Sequence, residues 1–198
     1  LDHYKFEMRH YGMTTIADFN DFKDSIGMQS NAGRMFRIVG LVASAQHRVA
    51  RSGNKYGSFM IEDYSGKTEI VLFSEDYLRI SPYLQQGSTV YITGYFKQRY
   101  NKAEYEFKVQ QVSLAETIKR SLTKQVSIEV HPQHLTEDMI GFIEKNMKQN
   151  RGGSTLRFIL TEPKQQIRIS LMTGTNGFEM NEEMIHFLAE KPELEVQV

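Results

Sequence analysis

The 198 residues include 24 basic and 24 acidic side chains and are 40% hydrophobic, the make-up of one large or two small folded domains rather than of a disordered chain. Cysteine is absent, which excludes disulfides, thiolate catalysis and cysteine-based zinc sites. No apolar run approaches the roughly 18 residues of a membrane span and no signal sequence opens the chain, so a cytoplasmic protein without a membrane partner is expected.

The balanced charge is unevenly distributed. Residues 34–115 hold 11 basic and 7 acidic residues, a balance of +4, whereas 1–33 hold 3 and 5 and 116–198 hold 10 and 12. This predicts weak, local electrostatics in the middle of the chain rather than a cation-driven binder. A chain that opens at Leu1 with no initiator Met is read as a fragment or a processed product.

Residues 1–33 form a helical lead-in and linker. Tyr4, Met8 and Tyr11 fall near helical spacing, and Thr14 or Thr15 can cap a second helix through Phe22. Asp18, Asp21 and Asp24 recur there, and converging carboxylates are what two-metal phosphoryl transfer needs; a solvated helix face accounts for them better. Ser25–Gly33 reads as the linker.

Residues 34–116 read as five short strands with a helix after the third: Met35–Arg48, Tyr56–Asp63, Lys67–Phe73, the helix Glu75–Gln85, then Thr89–Phe96 and Tyr105–Ser113. Period-two alternation places Phe59, Ile61, Ile70, Leu72, Val90, Ile92, Phe107 and Val109 inward. It places Tyr56, Ser58, Met60, Tyr91 and Thr93 on the opposite side. Gly40 allows the long first strand to bend, and Asp63-Tyr64-Ser65-Gly66 supplies a tight turn with Asp63 as its own cap. This order matches a five-stranded oligonucleotide/oligosaccharide-binding (OB) barrel, whose ligands lie on strands two and three under the 1–2 and 4–5 loops.

Residues 125–198 change rhythm. A strand Gln125–Val130 precedes a helix Leu135–Gln149 with Thr136 as cap and Ile140, Ile143 and Met147 as core positions. A hairpin of Thr155–Thr161 and Gln166–Leu171 follows, then a helix capped by Asn181 with Met184, Ile185 and Leu188 inward, and a strand Leu194–Val198. The order is βαββαβ, which suggests a split-βαβ or ferredoxin-like layout. The fold class is therefore mixed: an OB-type barrel, then a small α+β domain, after a short helical segment.

Two loops of the barrel interleave cations with aromatics. His47–Gly57 contains Arg48, Arg51, Lys55 and Tyr56, and Lys97–Lys102 contains Lys97, Arg99, Tyr100 and Lys102. Cations at the mouth of such a barrel pair with phosphates while an aromatic stacks on a base. With Ser58 and Met60 of strand two, these residues form the candidate nucleic-acid site. Nothing points to catalysis or a cofactor. Glu62 and Asp63 are strand neighbours facing opposite ways, His131 and His134 have no third ligand nearby, and Gly152-Gly153 lacks the Lys-Ser/Thr of a phosphate loop.

Three stretches together resemble the carboxyl-terminal region of the bacterial DNA polymerase III alpha subunit. Leu1-Asp2-His3-Tyr4 is similar to the end of a Gly-His-Pro-Leu-x-x-Tyr element. Val39-Gly40-Leu41-Val42 with Arg51–Lys55, and Ile61–Gly66 with Glu69–Phe73, resemble its first barrel strand and its Leu-x-Asp-x-x-Gly-x-x-Glu-Val-x-Phe pattern. Gly153, the 155–171 hairpin and Glu193–Val198 are similar to its tail domain. The resemblance implies a non-catalytic part of a DNA-directed DNA polymerase, a nucleotidyltransferase of the replisome. Its barrel would bind single-stranded template and its tail would dock the tau subunit of the clamp loader. Sliding-clamp binding maps upstream of Leu1 in that family, and a monomer is expected. Alternatives are a tRNA- or RNA-binding module of a synthetase-like protein, and a purely protein-binding scaffold.

Overall fold

A computed structural model describes residues 1, 4–26, 33–99, 103–118, 122–174 and 177–198. Two compact units emerge, Leu1–Thr117 and Ile118–Val198. The expected linker falls mostly on residues outside the described set.

In the first unit a single strand holds the sheet together. β1, Met35–Val49, pairs with β4, Thr89–Gln98, along its first half and with β2, Lys55–Glu62, along its second. The exchange of partners falls at Leu41, opposite both Thr89 and Glu62, and a register shift follows between Val42 and Ser44. Gly40 sits at this junction because a Cβ there would stand 2.5 Å from Ile61 Cγ2 and 3.0 Å from the Glu62 carbonyl oxygen. Its missing side chain admits the β2 backbone, while the bulge itself lies two residues further on. β3, Lys67–Phe73, and β5, Tyr105–Leu114, complete a five-stranded antiparallel sheet of order β3-β2-β1-β4-β5, the expected barrel topology. Between β3 and β4, α3 covers only Ser74–Ile80 and gives way to a 3₁₀ turn, Ser81–Tyr83. Pro82 has no N–H to continue the α pattern, and Ser81, still at φ −54° and ψ −30°, leads into the 3₁₀ turn.

Ahead of the barrel, α1 is short, Lys5–His10, and α2 spans Ile16–Ser25. The sequence presents this segment as a lead-in; the structure makes α2 part of the barrel. Ile16, Phe19 and Phe22 are buried in one cluster with Phe36, Ile38, Phe59, Ile61, Ile70, Ile92 and Phe96. Phe19 meets Phe36 edge-on at 5.4 Å between ring centroids, stacks on Phe96 at 5.2 Å and meets Phe107 at 4.9 Å. Burying each such side chain contributes about 1.5–3 kcal/mol. The helix is anchored at its N-terminus by the β2–β3 turn. Asp63 Oδ2 accepts from Ile16 N–H at 2.9 Å, Ser65 Oγ accepts from Ala17 N–H at 2.9 Å, and Thr15 Oγ1 accepts from Asp18 N–H at 3.1 Å. Three of the donors that a helix leaves unpaired at its start are thus satisfied. Asp63 also closes its own turn, with Oδ1 accepting from the N–H groups of Ser65 and Gly66 at 2.7 and 3.1 Å.

One facing differs from the alternation. Tyr91, expected to point outward, is buried beside its neighbour across the ladder, Val39, where the turn Ala115–Thr117 lies against β4. Burial pushes its phenol above its usual range.

The second unit has the expected element order: β6 Gln125–Val130, α4 Glu137–Gln149, β7 Arg151–Glu162, β8 Ile167–Met172, α5 Glu182–Ala189 and β9 Glu195–Gln197. Its sheet is ordered β8-β7-β6-β9, with β6 and β7 parallel and adjacent. The split arrangement is therefore not formed: β7 takes the place beside β6 that a ferredoxin-like fold leaves to a later strand, and β8 is left at the edge. Thr136 and Asn181 cap α4 and α5 as expected. The inner face of α4 is turned from the expected one. Met139, Ile143 and Asn146 are buried, while Ile140 is 44% exposed and Met147 half-buried. Asn146 sets this rotation, since it bonds reciprocally with Asn181 and donates to Glu183 at 3.1 Å, tying α4 to the start of α5.

Asp63→Ala should destabilise the first unit by about 2 kcal/mol, the sum of a lost helix cap and a lost turn. Asp63→Asn should recover only part, because its amide group sets N–H against N–H. Urea unfolding of the three proteins measures this, and equal midpoints would contradict it.

Candidate nucleic-acid interface

The barrel presents one face on which three strands are in register. Arg48 of β1 lies opposite Tyr56 of β2, which lies opposite Phe73 of β3; the next rung is Gln46–Ser58–Val71, and the third Ser44–Met60–Glu69. Alternation sends Gly57, Phe59 and Ile61 into the core and leaves this set outside. Tyr56 and Phe73 stack at 5.8 Å with an interplanar angle of 17°, and Phe73 is 51% exposed, Val71 39%. A parallel aromatic pair half open to solvent, with Arg48 at its end, is a surface on which a flat ring can stack beside a cation.

Beyond this platform β1 and β2 continue as a two-stranded ribbon to the pair Val49–Lys55. The ribbon closes through Ala50 N–H to Asn54 O at 2.8 Å and Gly53 N–H to Ala50 O at 2.9 Å. Gly53 takes φ +82°, a left-handed conformation that glycine adopts without steric cost. Arg48, Arg51 and Lys55 are all exposed here. Arg48 donates to Gln46 Oε1 at 2.7 Å. The expected first loop is thus a stiff ribbon rather than a free connection.

The second loop contributes less charge. Lys97 is exposed at the end of β4, opposite Glu106. Arg99 is half-buried and engaged within the hairpin, its Nε 3.0 Å from Glu106 and its Nη1 3.6 Å from Glu104. Tyr100 and Lys102 lie outside the described residues. The structure therefore brings Arg48, Tyr56, Ser58 and Met60 together, sets Arg51 and Lys55 at the ribbon tip, and holds Arg99 in ion pairs. Sequence reasoning passed over Phe73, Val71 and Gln46. Their signal was available: odd-numbered positions of β3 oppose Ile70 and Leu72, and an apolar residue at such a position has no core to enter.

Among the described residues β3 and β5 share no ladder. Side chains bridge the interval instead. Lys108 of β5 pairs with Asp76 of α3, and Arg79 bonds Asp76 at 3.0 Å while donating to the carbonyl oxygens of Gln110 at 3.0 Å and Val109 at 3.3 Å. A cavity of about 360 Å³ remains there, bordered by Phe19, Val71, Phe73, Phe107 and Arg99. The hydrogen bond from Lys108, with help from Arg79 and against the cost of burial, holds the Asp76 carboxyl below its usual 3.8. The same bond raises Lys108 above 10.5.

The acidic and histidine positions of the sequence do not converge. Asp18 accepts from Thr15 Oγ1 at 2.7 Å, Asp21 and Asp24 are exposed, and His131 pairs with Glu162 at 2.6 Å. Among the described residues no three His, Asp or Glu side chains are grouped to hold a metal, and no helix is long and apolar enough to cross a membrane.

Sequence comparison agrees with this geometry. Residues 36–115 match the family model described as OB-fold nucleic acid binding domain, in agreement with the barrel's strand order. Residues 126–198 match the C-terminal domain of the DNA polymerase III alpha subunit. Full-length relatives say the same: the DNA polymerase III subunit alpha of Borreliella burgdorferi is 22% identical over 89% of this chain and 15% of its own length. That of Pseudomonas fluorescens is 20% identical over 82% of this chain and 13% of its own. The chain is thus similar to the C-terminal region of the DNA polymerase III alpha subunit, and it spans only a small part of those relatives' length. Among solved structures, it is similar to the second OB-fold domain of replication protein A from Methanococcus maripaludis (19% identity, 42% of this chain, 85% of that one, TM-score 0.29). It is also similar to the second single-stranded DNA binding protein of Mycobacterium smegmatis (17% identity, 42% and 87%, TM-score 0.33).

Asp76→Asn tests the bridge between β3 and β5. Because the folded carboxyl is depressed, its contribution stands above pH 3.8 and is lost as pH falls through the folded value; that of Lys108 stands below 10.5 and is lost above its raised value. Asp76→Asn should therefore be less stable than the parent near neutral pH, with the gap closing well below pH 3.8. A gap that does not change with pH in urea unfolding would contradict this.

Proposed function

We propose that the barrel binds single-stranded DNA, as the template-contacting part of a replicative polymerase in the bacterial cytoplasm, and that this chain supplies no chemistry of its own. The observation that carries the reading is the rung Arg48–Tyr56–Phe73, an exposed aromatic stack at the root of a ribbon bearing Arg51 and Lys55. Phosphates run past the ribbon cations while bases stack on the aromatics, a combination that tolerates any sequence. Lys97 extends the track from the β4–β5 side. With few unpaired cations, affinity is modest and falls with salt.

Anisotropy of labelled single-stranded DNA at two salt concentrations tests this. Arg51→Ala with Lys55→Ala should weaken binding and lower the salt slope by about 1.4, two contacts at about 0.7 each. Phe73→Ala should cost about 1–3 kcal/mol with the slope unchanged. Unaltered affinity and slope in both variants would overturn the reading.

A second reading concerns the tail unit, which we propose docks a protein of the replisome, the tau subunit of the clamp loader. It rests on β8, an edge strand whose six residues are all exposed. Ile167, Ile169 and Leu171 share the face of Leu160 and Phe158. Ile140, Met147, Leu156 and Phe158 line an apolar groove of about 460 Å³ beside it. Unprotected apolar edges are what strand-adding partners occupy. Ile169→Lys with Leu171→Lys should abolish capture of purified tau and leave single-stranded DNA affinity intact; retained tau binding would remove this reading.

A further inference from the structure

The platform is charged asymmetrically along its rungs. Arg48 stands on the first rung with Arg51 and Lys55 beyond it, whereas Glu69 stands on the third; the rung after that is balanced, Glu62 of β2 facing Lys67 of β3. Successive residues on one face of a strand are about 6.7 Å apart, so Glu69 lies about 13 Å along β3 from Phe73. Coulomb forces hold phosphates to the ribbon end and repel them from the carboxylate end. A base seated over Phe73 and Val71 then directs its hydrogen-bonding edge towards Glu69.

The Ser58 hydroxyl donates to Glu69 Oε1, which fixes the carboxylate in place, while the side chain stays exposed. An ionised carboxylate can only accept hydrogen bonds. Bases differ on this point. Cytosine offers the N4 amine as a donor, whereas thymine offers the O4 acceptor in the same place. An acceptor against a fixed carboxylate leaves both groups unpaired and repelling, and the cost of an unmade bond exceeds the gain from a made one.

We propose that Glu69 is a specificity-determining residue, which makes the barrel favour cytosine over thymine at the base lying on Val71. The inference rests on the reading of this face as a single-strand interface and goes beyond it, since stacking and phosphate contacts distinguish no pyrimidine from the other.

The test is anisotropy of the whole chain with labelled oligo-dC, oligo-dT and oligo-dU at one salt concentration. Oligo-dC should bind about tenfold more tightly than oligo-dT, the ratio equivalent to about 1.4 kcal/mol. Oligo-dU should bind like oligo-dT, which excludes the thymine methyl group as the cause. In Glu69→Gln, whose amide both donates and accepts, and in Glu69→Ala, the ratio should fall to within about twofold while all three oligonucleotides still bind. Binding of all three with equal affinity by the parent protein, or a tenfold ratio that survives both substitutions, overturns the inference and leaves the interface standing. No binding of any oligonucleotide overturns the interface reading and the inference with it.

Discussion

The Asp63 carboxylate is the constraint on which the first unit depends. One oxygen shapes the turn between β2 and β3; the other receives the first N–H of a helix 47 residues earlier in the chain. The turn therefore does two jobs with one side chain. It fixes the β2–β3 register, which aligns Tyr56 with Phe73, and it positions α2, which drives Phe19 and Phe22 among the aromatic rings of the barrel. Charge-assisted bonds to backbone N–H groups are among the stronger polar contacts available, and here they join a local turn to the packing of a distant helix.

That coupling explains how the barrel holds its shape without a ladder between β3 and β5. α2 fills the core from one side, and α3 ties β5 through Asp76, Arg79 and Lys108. Strand pairing is thus concentrated on β1, whose two halves serve opposite sides of the sheet. The proposed binding face lies on the three strands on the β2 side, where the backbone pairing is continuous from β1 to β3.

Much of this was legible in the residues. Period-two alternation in β2 and β3, glycine where β1 changes partners, and the Asp-x-x-Gly turn each reflect a local rule, so they survive without knowledge of the fold. The ribbon cations Arg48, Arg51 and Lys55 were legible for the same reason. What escaped depended on long-range packing. α2 looked like a lead-in because its contribution is made in contacts with strands well removed along the chain, such as Phe96 and Phe107; Arg99 looked free because its carboxylate partners Glu104 and Glu106 lie across a hairpin. Phe73 was legible by the same alternation, since it shares the parity of Glu69 and Val71 rather than that of Ile70 and Leu72. In the tail unit the helices and caps follow from sequence, whereas the parallel pairing of β6 with β7 does not: the same βαββαβ order is compatible with both sheet arrangements. The inward face of α4 was misjudged because its packing turns on a buried asparagine, Asn146, rather than on the apolar stripe of Ile140 and Met147.

The divided pairing of β1 has a kinetic side. Its second half zips with β2 across a tight turn, an event of the microsecond class. Its first half must wait for β4, and α2 must find a turn 47 residues away, so both pay loop-closure entropy before any contact rewards it. The cationic ribbon is therefore assembled early and the barrel around it late. Changes at the ribbon turn, such as at Gly53, then act on the rate of folding, and loss of the α2 anchor acts on the rate of opening. A barrel built in this order has its ribbon turn set before its core closes.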